Sequence, residues 1–170
     1  MTMTAERRVY VGTYAKYSDG SIAGKWLDLS DYADRDEFLE ACRELHKDEA
    51  DPELMFQDHE GIPGDLISEC EVKAELWEFL ELSEGEQVAM RLWLDNGSEF
   101  DVGEMRDAYA GTADSEADFC EQMAEDAGAV PEDFPSWIRI DWEGTWNASL
   151  RFDYWCERGE DGNLHFFSRS

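Results

Sequence analysis

Carboxylates are the side chains most able to do chemistry in this sequence, and they are concentrated between residues 101 and 133. This stretch holds eleven Asp and Glu residues and one cation, Arg106. If residues 115–127 form a helix, four of the acids recur on one side of it as a ridge: Asp114, Asp118, Glu121 and Glu125. Like charges four residues apart destabilise a helix by about 0.2–0.5 kcal/mol per pair. The ridge is therefore either a solvated outer face or a surface that meets cations.

Two more acidic ridges are predicted earlier in the chain. Asp34 followed by Glu37 is typical of a capping box, and it begins a helix that we expect to run to about Glu49. The outer face of this helix carries Glu37, Glu40, Glu44 and Asp48. Ser68 and Glu71 repeat the capping pattern, so they predict a second helix with an acidic side made of Glu71, Glu75 and Glu78.

The excess of acid is confined to the middle of the chain. The 170 residues contain 42 acids and 14 bases, which gives a net charge of −28. Residues 31–150 hold 35 acids and seven bases, whereas the first thirty residues hold three acids and four bases. Adaptation of the whole surface to salt would have made the first thirty residues acidic as well. The charge disfavours direct binding to nucleic-acid phosphates.

Sequence motifs of catalysis and metal binding are missing. The histidines, His46, His59 and His165, lie far apart without an HExxH pattern, and the four cysteines form no CxxC pair. The chain has no nucleophile elbow, phosphate-binding loop or dinucleotide fingerprint. The segment DNGSEFDVGE lacks the acid spacing and the central glycine of an EF-hand loop. We therefore predict no catalytic residue, no metal site and no cofactor.

Hydrophobic patterns and turn residues predict an α+β fold. Val9–Tyr14 and Ile22–Leu29 are typical of a hairpin with an Asp-Gly turn, and Leu54–His59 of a returning strand. After a junction at Gly61–Gly64 the pattern becomes helical. Further helices are expected from the cap at Ser83 to the Asn96-Gly97 stop, and from about Met105 to Tyr109 with a stop at Gly111.

The aromatic C-terminal segment is predicted to be core rather than a site. It indicates a strand at Trp137–Ile140, a short helix at Trp142–Ala148 and a hairpin of Leu150–Glu157 with Leu164–Ser168. We expect three small domains: residues 1–61 with a β-hairpin and a helix, residues 62–111 as a helical domain, and residues 112–170 with a β-sheet and a helix. No run of about 18 apolar residues and no apolar signal core occurs, so we expect a cytoplasmic protein that does not span a membrane.

The amount of charge matches that of duplex DNA. Duplex DNA carries one charge per roughly 1.7 Å of its axis, so a net charge of −28 corresponds to about 48 Å of duplex. A compact chain of this length has a radius of gyration of about 15 Å and a width near 40 Å. The carboxylates could therefore stand in for phosphates, and the matching partner is a protein with a cationic DNA groove.

Three strings of the sequence resemble the ArdA family of antirestriction proteins. They are VYVGTYAKYSDGSIAGKWLDLSDY from Val9, PSWIRIDWEGTWNASLRFDYW from Pro135, and HFFSR near the end. The resemblance implies a DNA mimic that occupies the DNA-binding groove of type I restriction-modification enzymes, including their methyltransferase core, and protects incoming mobile DNA. It also implies an elongated homodimer in which each chain is a row of three small domains.

The family's antirestriction region and dimer contact map near Phe119 to Pro135. Met123, Ala127 and Val130 are then the apolar candidates for the dimer interface, with core packing inside one domain as the alternative. The resemblance carries over no catalytic residue. Two rival functions stay open: a mimic directed at another DNA-binding protein, and a carboxylate-dependent hydrolase, which would need paired acids in a concave pocket.

Overall fold

The computed structural model describes residues 6–169. They form seven α-helices and two small antiparallel sheets of three strands each, which confirms the predicted α+β class. The chain divides into two compact units, Met1–Ser83 and Glu84–Ser170. The division into three domains stays a prediction. No helix in residues 6–169 combines the length and the apolar character that crossing a membrane requires.

The first unit is built on a sheet in the order β2-β1-β3. Its elements are β1 (Arg8–Thr13), α1 (Tyr14–Ser18), β2 (Lys25–Asp28), α2 (Arg35–Leu45), β3 (Leu54–Glu60) and α3 (Glu75–Glu81). The predicted pairing of the first two strands is confirmed, because Val9 pairs with Leu27, but Tyr14 begins the helix α1 in the connection instead of ending the first strand. In the core, the Phe38 ring lies 6.1 Å from that of Phe56 and 5.7 Å from that of Trp77. These aromatic contacts join the sheet, α2 and α3.

Helix α2 begins as predicted and ends earlier than predicted. The Asp34 side chain accepts a hydrogen bond from the Glu37 amide at 2.9 Å, which caps the first turn. The helix ends at Leu45 rather than near Glu49, and His46 is its C-cap. His46 is buried, and its Nε2 lies 3.1 Å from the Val11 carbonyl oxygen. This hydrogen bond holds His46 against the sheet, so the chain leaves the helix at this residue.

The predicted helix start at Ser68 is wrong. The Ser68 hydroxyl does accept from the Glu71 amide at 3.1 Å, but the two residues close a turn between the bridged pair Ile67 and Val72. Serine side chains satisfy turns as readily as helix N-termini, so the same pattern serves both structures. Helix α3 begins only at Glu75.

The second unit is built on a sheet in the order β4-β6-β5. Its elements are α4 (Glu84–Asp95), α5 (Val102–Ala108), β4 (Tyr109–Ala113), α6 (Glu116–Asp126), α7 (Trp142–Ala148), β5 (Tyr154–Arg158) and β6 (Leu164–Ser168). The predicted α7 is confirmed, and the C-terminal hairpin is confirmed except that Leu150–Phe152 form a 3-10 helix and the first strand begins at Tyr154. The rings of Phe119 and Phe166 stack with centroids 4.0 Å apart, and Trp146 packs edge-on against both. This stack holds α6 and α7 against the sheet.

Two further expectations for the second unit are wrong. Gly111 does not end a helix, because it lies inside β4 at a register shift with a φ of 104°. Trp137–Ile140 is not a strand: Pro135 begins a turn that the Ile138 amide closes at 3.1 Å. The side chain of Trp137 is 82% exposed and that of Phe152 62%, so part of the aromatic segment lies on the surface rather than in the core.

The four cysteines differ in access to solvent, and this difference predicts their reactivity. Burial raises the pKa of the Cys42 thiol to about 12 and that of Cys156 to about 11, and it also raises the pKa of Cys120. Cys70 is exposed. Since only thiolates attack disulfide reagents, we expect Cys70 to react first with an aromatic disulfide at mildly alkaline pH. A spectrophotometric time course would test this, because Cys70→Ser should remove the fast phase and denaturant should expose the other thiols. A fast phase that survives in Cys70→Ser would contradict the raised pKa of the other three thiols.

Candidate functional site

The first acidic ridge lies on α2. Glu37, Glu40 and Glu44 are all exposed, while Phe38 and Cys42 point into the core with no exposed surface. The fourth predicted member, Asp48, is exposed but follows the end of the helix. We call Glu37, Glu40 and Glu44 the α2 ridge. Asp48 belongs to a different cluster.

The α2 ridge is only partly neutralised. The Glu44 carboxylate lies 3.0 Å from the Lys47 ammonium, an ion pair with both side chains 73% exposed. Glu37 accepts a hydrogen bond from the Ala33 amide at 3.0 Å, which completes the N-terminal cap. Exposed ion pairs of this kind contribute roughly 0–1 kcal/mol and are screened by salt. The ridge therefore keeps most of its negative field.

Asp48 joins a cluster around the ammonium of Lys16. The Lys16 Nζ lies 2.7 Å from His46 Nδ1, 3.0 Å from Asp48 Oδ1 and 3.5 Å from Glu49 Oε2. The Thr13 hydroxyl donates to Glu49 at 2.7 Å. Because His46 Nε2 donates to a backbone carbonyl, its Nδ1 is left to accept from Lys16. The hydrogen bond from Lys16 lowers the pKa of Asp48, and the reverse effect raises the pKa of Lys16.

This cluster has the ligand types of a small metal site. Donor atoms of His46, Asp48 and Glu49 lie within 4.8 Å of one another. The Lys16 ammonium, however, already lies among these donors, and it supplies the positive charge that a metal ion would bring. Sequence reasoning missed this cluster because Lys16 is about thirty residues from its partners.

The second ridge is not a continuous helical feature. Glu75 and Glu78 lie on α3 and are exposed, but Glu71 lies in the turn that precedes the helix. The prediction that all three share one helix side is therefore wrong, because the turn at Ser68 replaces the first predicted helical turn. Glu71 is nevertheless exposed.

The third ridge lies on α6. Ser115 caps the helix by accepting from the Asp118 amide at 3.1 Å, and Phe119 and Cys120 are buried on the opposite side. Glu121 and Glu125 are exposed, Asp118 is half-buried, and Asp114 is exposed just before the cap. We call Asp118, Glu121 and Glu125 the α6 ridge. The last turn of α6 holds Glu125 and Asp126 but no base, so the helix dipole is not compensated there.

The candidate interface residues lie at the end of the same helix. Met123 is half-buried and packs against the second-unit core formed by Ala113, Phe119, Leu164 and Phe166. Ala127 is the exposed C-cap of α6, and Val130 is half-buried two residues after Gly128, whose φ of 66° ends the helix. Their role in a dimer stays a prediction, and the contact of Met123 with this core agrees with the alternative, which is packing inside one domain.

A cavity of about 620 Å³ is lined by three acids that the sequence analysis did not group together. Glu99, Glu104 and Asp107 line it beside the ring of Trp93. All three acids are exposed, whereas the general acid of a carboxylate pair requires an apolar environment that excludes water. The cavity is therefore suited to attracting cations rather than to hydrolysis. The only feature of the sequence that pointed to this cavity is the spacing of three residues between Glu104 and Asp107.

The family model of antirestriction protein ArdA matches residues 9–155. The chain belongs to the ArdA family. A search of curated proteins finds no match. The ArdA family is one of non-enzymatic antirestriction proteins, so membership implies interaction with restriction-modification enzymes in general.

The Lys16 cluster generates a prediction about pH. The folded-state pKa of Asp48 is lower than its unfolded value, so this contact stabilises the fold above the ordinary aspartate pKa. The contribution is lost as the pH falls through the lowered pKa. We expect Lys16→Gln to raise the pKa of Asp48 towards its ordinary value and to flatten this part of the stability profile. Carboxyl NMR titration would measure the pKa, with Lys47→Gln as a control that leaves Asp48 unchanged. An Asp48 titration identical in Lys16→Gln and the wild type would rule out the contact.

Proposed function

We propose that this protein is a DNA mimic that inhibits type I restriction-modification enzymes by occupying their DNA-binding groove. The target includes both the methyltransferase core and the full complex, and the inhibition involves no catalysis. One observation carries the proposal: of the eleven carboxylates predicted to imitate phosphates, ten are exposed and the last, Asp118, is half-buried. Family membership supports the antirestriction role.

The charge spacing of the helical ridges supports mimicry of DNA. Each ridge, on α2 and on α6, places three carboxylates over seven residue steps. A helix rises 1.5 Å per residue, so three charges span about 10 Å. One strand of duplex DNA carries a charge every 3.4 Å, or about three charges in the same distance. A ridge thus has about the linear charge density of one DNA strand.

The ridges destabilise the free protein, and binding to a basic partner would relieve this destabilisation. Like charges repel along each helix, and the uncompensated dipole at the end of α6 adds to the repulsion. Binding to a basic groove would replace repulsion with attraction. The helices fix the backbone spacing of the carboxylates beforehand, so on binding only the side chains would remain to be ordered.

We also propose that the protein acts as a homodimer that protects incoming mobile DNA in the cytoplasm. The segment that contains Met123, Ala127 and Val130 is the candidate contact, and the residue ranges 1–61, 62–111 and 112–170 are the candidate domains of each chain. A larger acidic surface would strengthen electrostatic steering towards the target and increase its salt dependence.

Competition for DNA tests the proposed target. A labelled DNA site bound to a type I methyltransferase should be displaced by this protein, and the displacement should weaken steeply with added salt, because both partners act through charge. Fluorescence anisotropy over a salt series would measure this. Failure to displace DNA, with folding verified by circular dichroism, would exclude this groove as the target. Displacement of DNA only from an unrelated DNA-binding protein would favour the second candidate, a mimic with a different target.

The collective nature of the ridges generates a second prediction. Single exposed ion pairs are worth roughly 0.2–1 kcal/mol, so Glu37→Gln alone should weaken binding by less than about fivefold. The triple change Glu37→Gln, Glu40→Gln and Glu44→Gln should weaken it by roughly tenfold and reduce its dependence on salt.

A matched control separates position from total charge. The triple change Asp19→Asn, Asp51→Asn and Glu53→Gln removes the same charge from exposed positions of the first unit outside the ridge. We expect it to weaken binding less than the ridge variant does. Equal losses would mean that only net charge matters, and a large loss from Glu37→Gln with the fold intact would contradict collective binding.

A further inference from the structure

The second unit contains a cavity of about 670 Å³ whose lining differs from the acidic surface elsewhere. Three aromatic rings and two cations line it, together with one acid: Trp146, Phe152, Trp155, Arg151, Arg169 and Glu157. We call it the arginine–aromatic pocket. Its volume lies within the range of roughly 300–1,000 Å³ that is typical of sites for small molecules.

The aromatic wall of this pocket is anchored in the core. Trp155 stacks on Phe167 with centroids 4.3 Å apart and an angle of 14° between the rings. Trp146 lies edge-on against Phe119 and Phe166. Phe152, in contrast, is 62% exposed at the rim. The pocket therefore combines fixed apolar surface with one accessible ring, which suits a flat aromatic ligand.

In the described part of the chain, neither arginine of the pocket has an acidic partner. Arg169 Nε donates to the carbonyl oxygens of Arg151 and Tyr154 at 3.1 and 3.0 Å, which fixes the guanidinium beside the pocket. The Arg151 guanidinium lies 4.8 Å from the centre of the Phe152 ring. Among residues 6–169, no carboxylate lies within ion-pair distance of either arginine.

We propose that the arginine–aromatic pocket binds a small aromatic anion of the nucleoside monophosphate class. The nucleobase would lie against Phe152 and Trp155, because aromatic side chains stack with any base. The phosphate would pair with the guanidiniums of Arg151 and Arg169, whose planar donors match phosphate oxygens. The Glu157 carboxylate can accept a hydrogen bond from a ribose hydroxyl or a base amino group.

A free nucleotide fits this pocket better than a nucleic-acid strand does. The net charge of −28 repels a polyanion, whereas one phosphate meets only the local cations. The proposal goes beyond inhibition of restriction enzymes and does not depend on it, because the ridges require acids and this pocket requires bases.

Titration of the full-length protein with 5′-AMP tests the proposal. Binding at low salt would be followed by calorimetry and by tryptophan fluorescence. We expect saturable binding at least about tenfold tighter than that of adenosine or of inorganic phosphate alone, since each half of the ligand would have its own partners. Absence of saturable binding to the folded protein would overturn the proposal. Tighter binding of a short single-stranded oligothymidylate than of 5′-AMP would do the same.

Matched variants locate the site. Arg151→Gln and Phe152→Ala should each weaken 5′-AMP binding by about tenfold, because they remove the phosphate partner and the exposed ring. Arg139→Gln is the control, since Arg139 is exposed but does not line the pocket. Arg169→Gln is less suitable, because the Arg169 side chain also holds two backbone carbonyls. Circular dichroism would verify folding of each variant. Equal losses in Arg151→Gln and Arg139→Gln would show that charge alone attracts the ligand, and would overturn the assignment of the pocket.

Discussion

Repulsion among carboxylates is the constraint on which the rest of this protein depends. A chain with a net charge of −28 must hold its acids apart from one another and still form two small cores. Each helical ridge is backed by a buried aromatic ring, Phe38 behind the α2 ridge and Phe119 behind the α6 ridge. Burial of a phenylalanine side chain contributes roughly 1.5–3 kcal/mol, whereas each repulsive pair on a helix costs about 0.2–0.5 kcal/mol. The apolar face therefore outweighs the charged face, and the helix can carry a ridge.

The few bases are distributed unevenly, and those that pair with acids show where repulsion between carboxylates is reduced. Lys16 lies among His46, Asp48 and Glu49, where the chain leaves α2 and returns to the sheet. Lys47 pairs with Glu44 at the end of the α2 ridge. The negative charge of the α6 ridge is not neutralised in this way, because the last turn of α6 contains no base. A helix whose acids have no neighbouring base would attract a cationic partner more strongly than a helix whose acids are partly neutralised.

In the proposed mode of binding, a surface of this kind would act through many equivalent groups rather than through one precise site. The helices already fix the backbone spacing of the exposed carboxylates, so the conformational entropy lost on meeting a basic groove would be that of the side chains alone. Antirestriction activity of the family to which this chain belongs is consistent with that mode of action. The arginine–aromatic pocket differs from the ridges, because ligand binding there would depend on two particular guanidiniums and on rings anchored in the core.

Local patterns in the sequence determined the pairing of the first two strands, the cap at Asp34, helix α7 and the acidic character of α2 and α6. Each depends on residues a few positions apart, so the sequence carries the information directly. Only the tertiary structure decided that Ser68 closes a turn, that Trp137 lies on the surface and that Lys16 meets His46. A capping pattern is shared by turns and helices, an aromatic residue packs only where a partner surface exists, and contacts across thirty residues depend on how the sheet folds. The convergence of Arg151 and Arg169 on one cavity likewise required the final arrangement of the C-terminal hairpin.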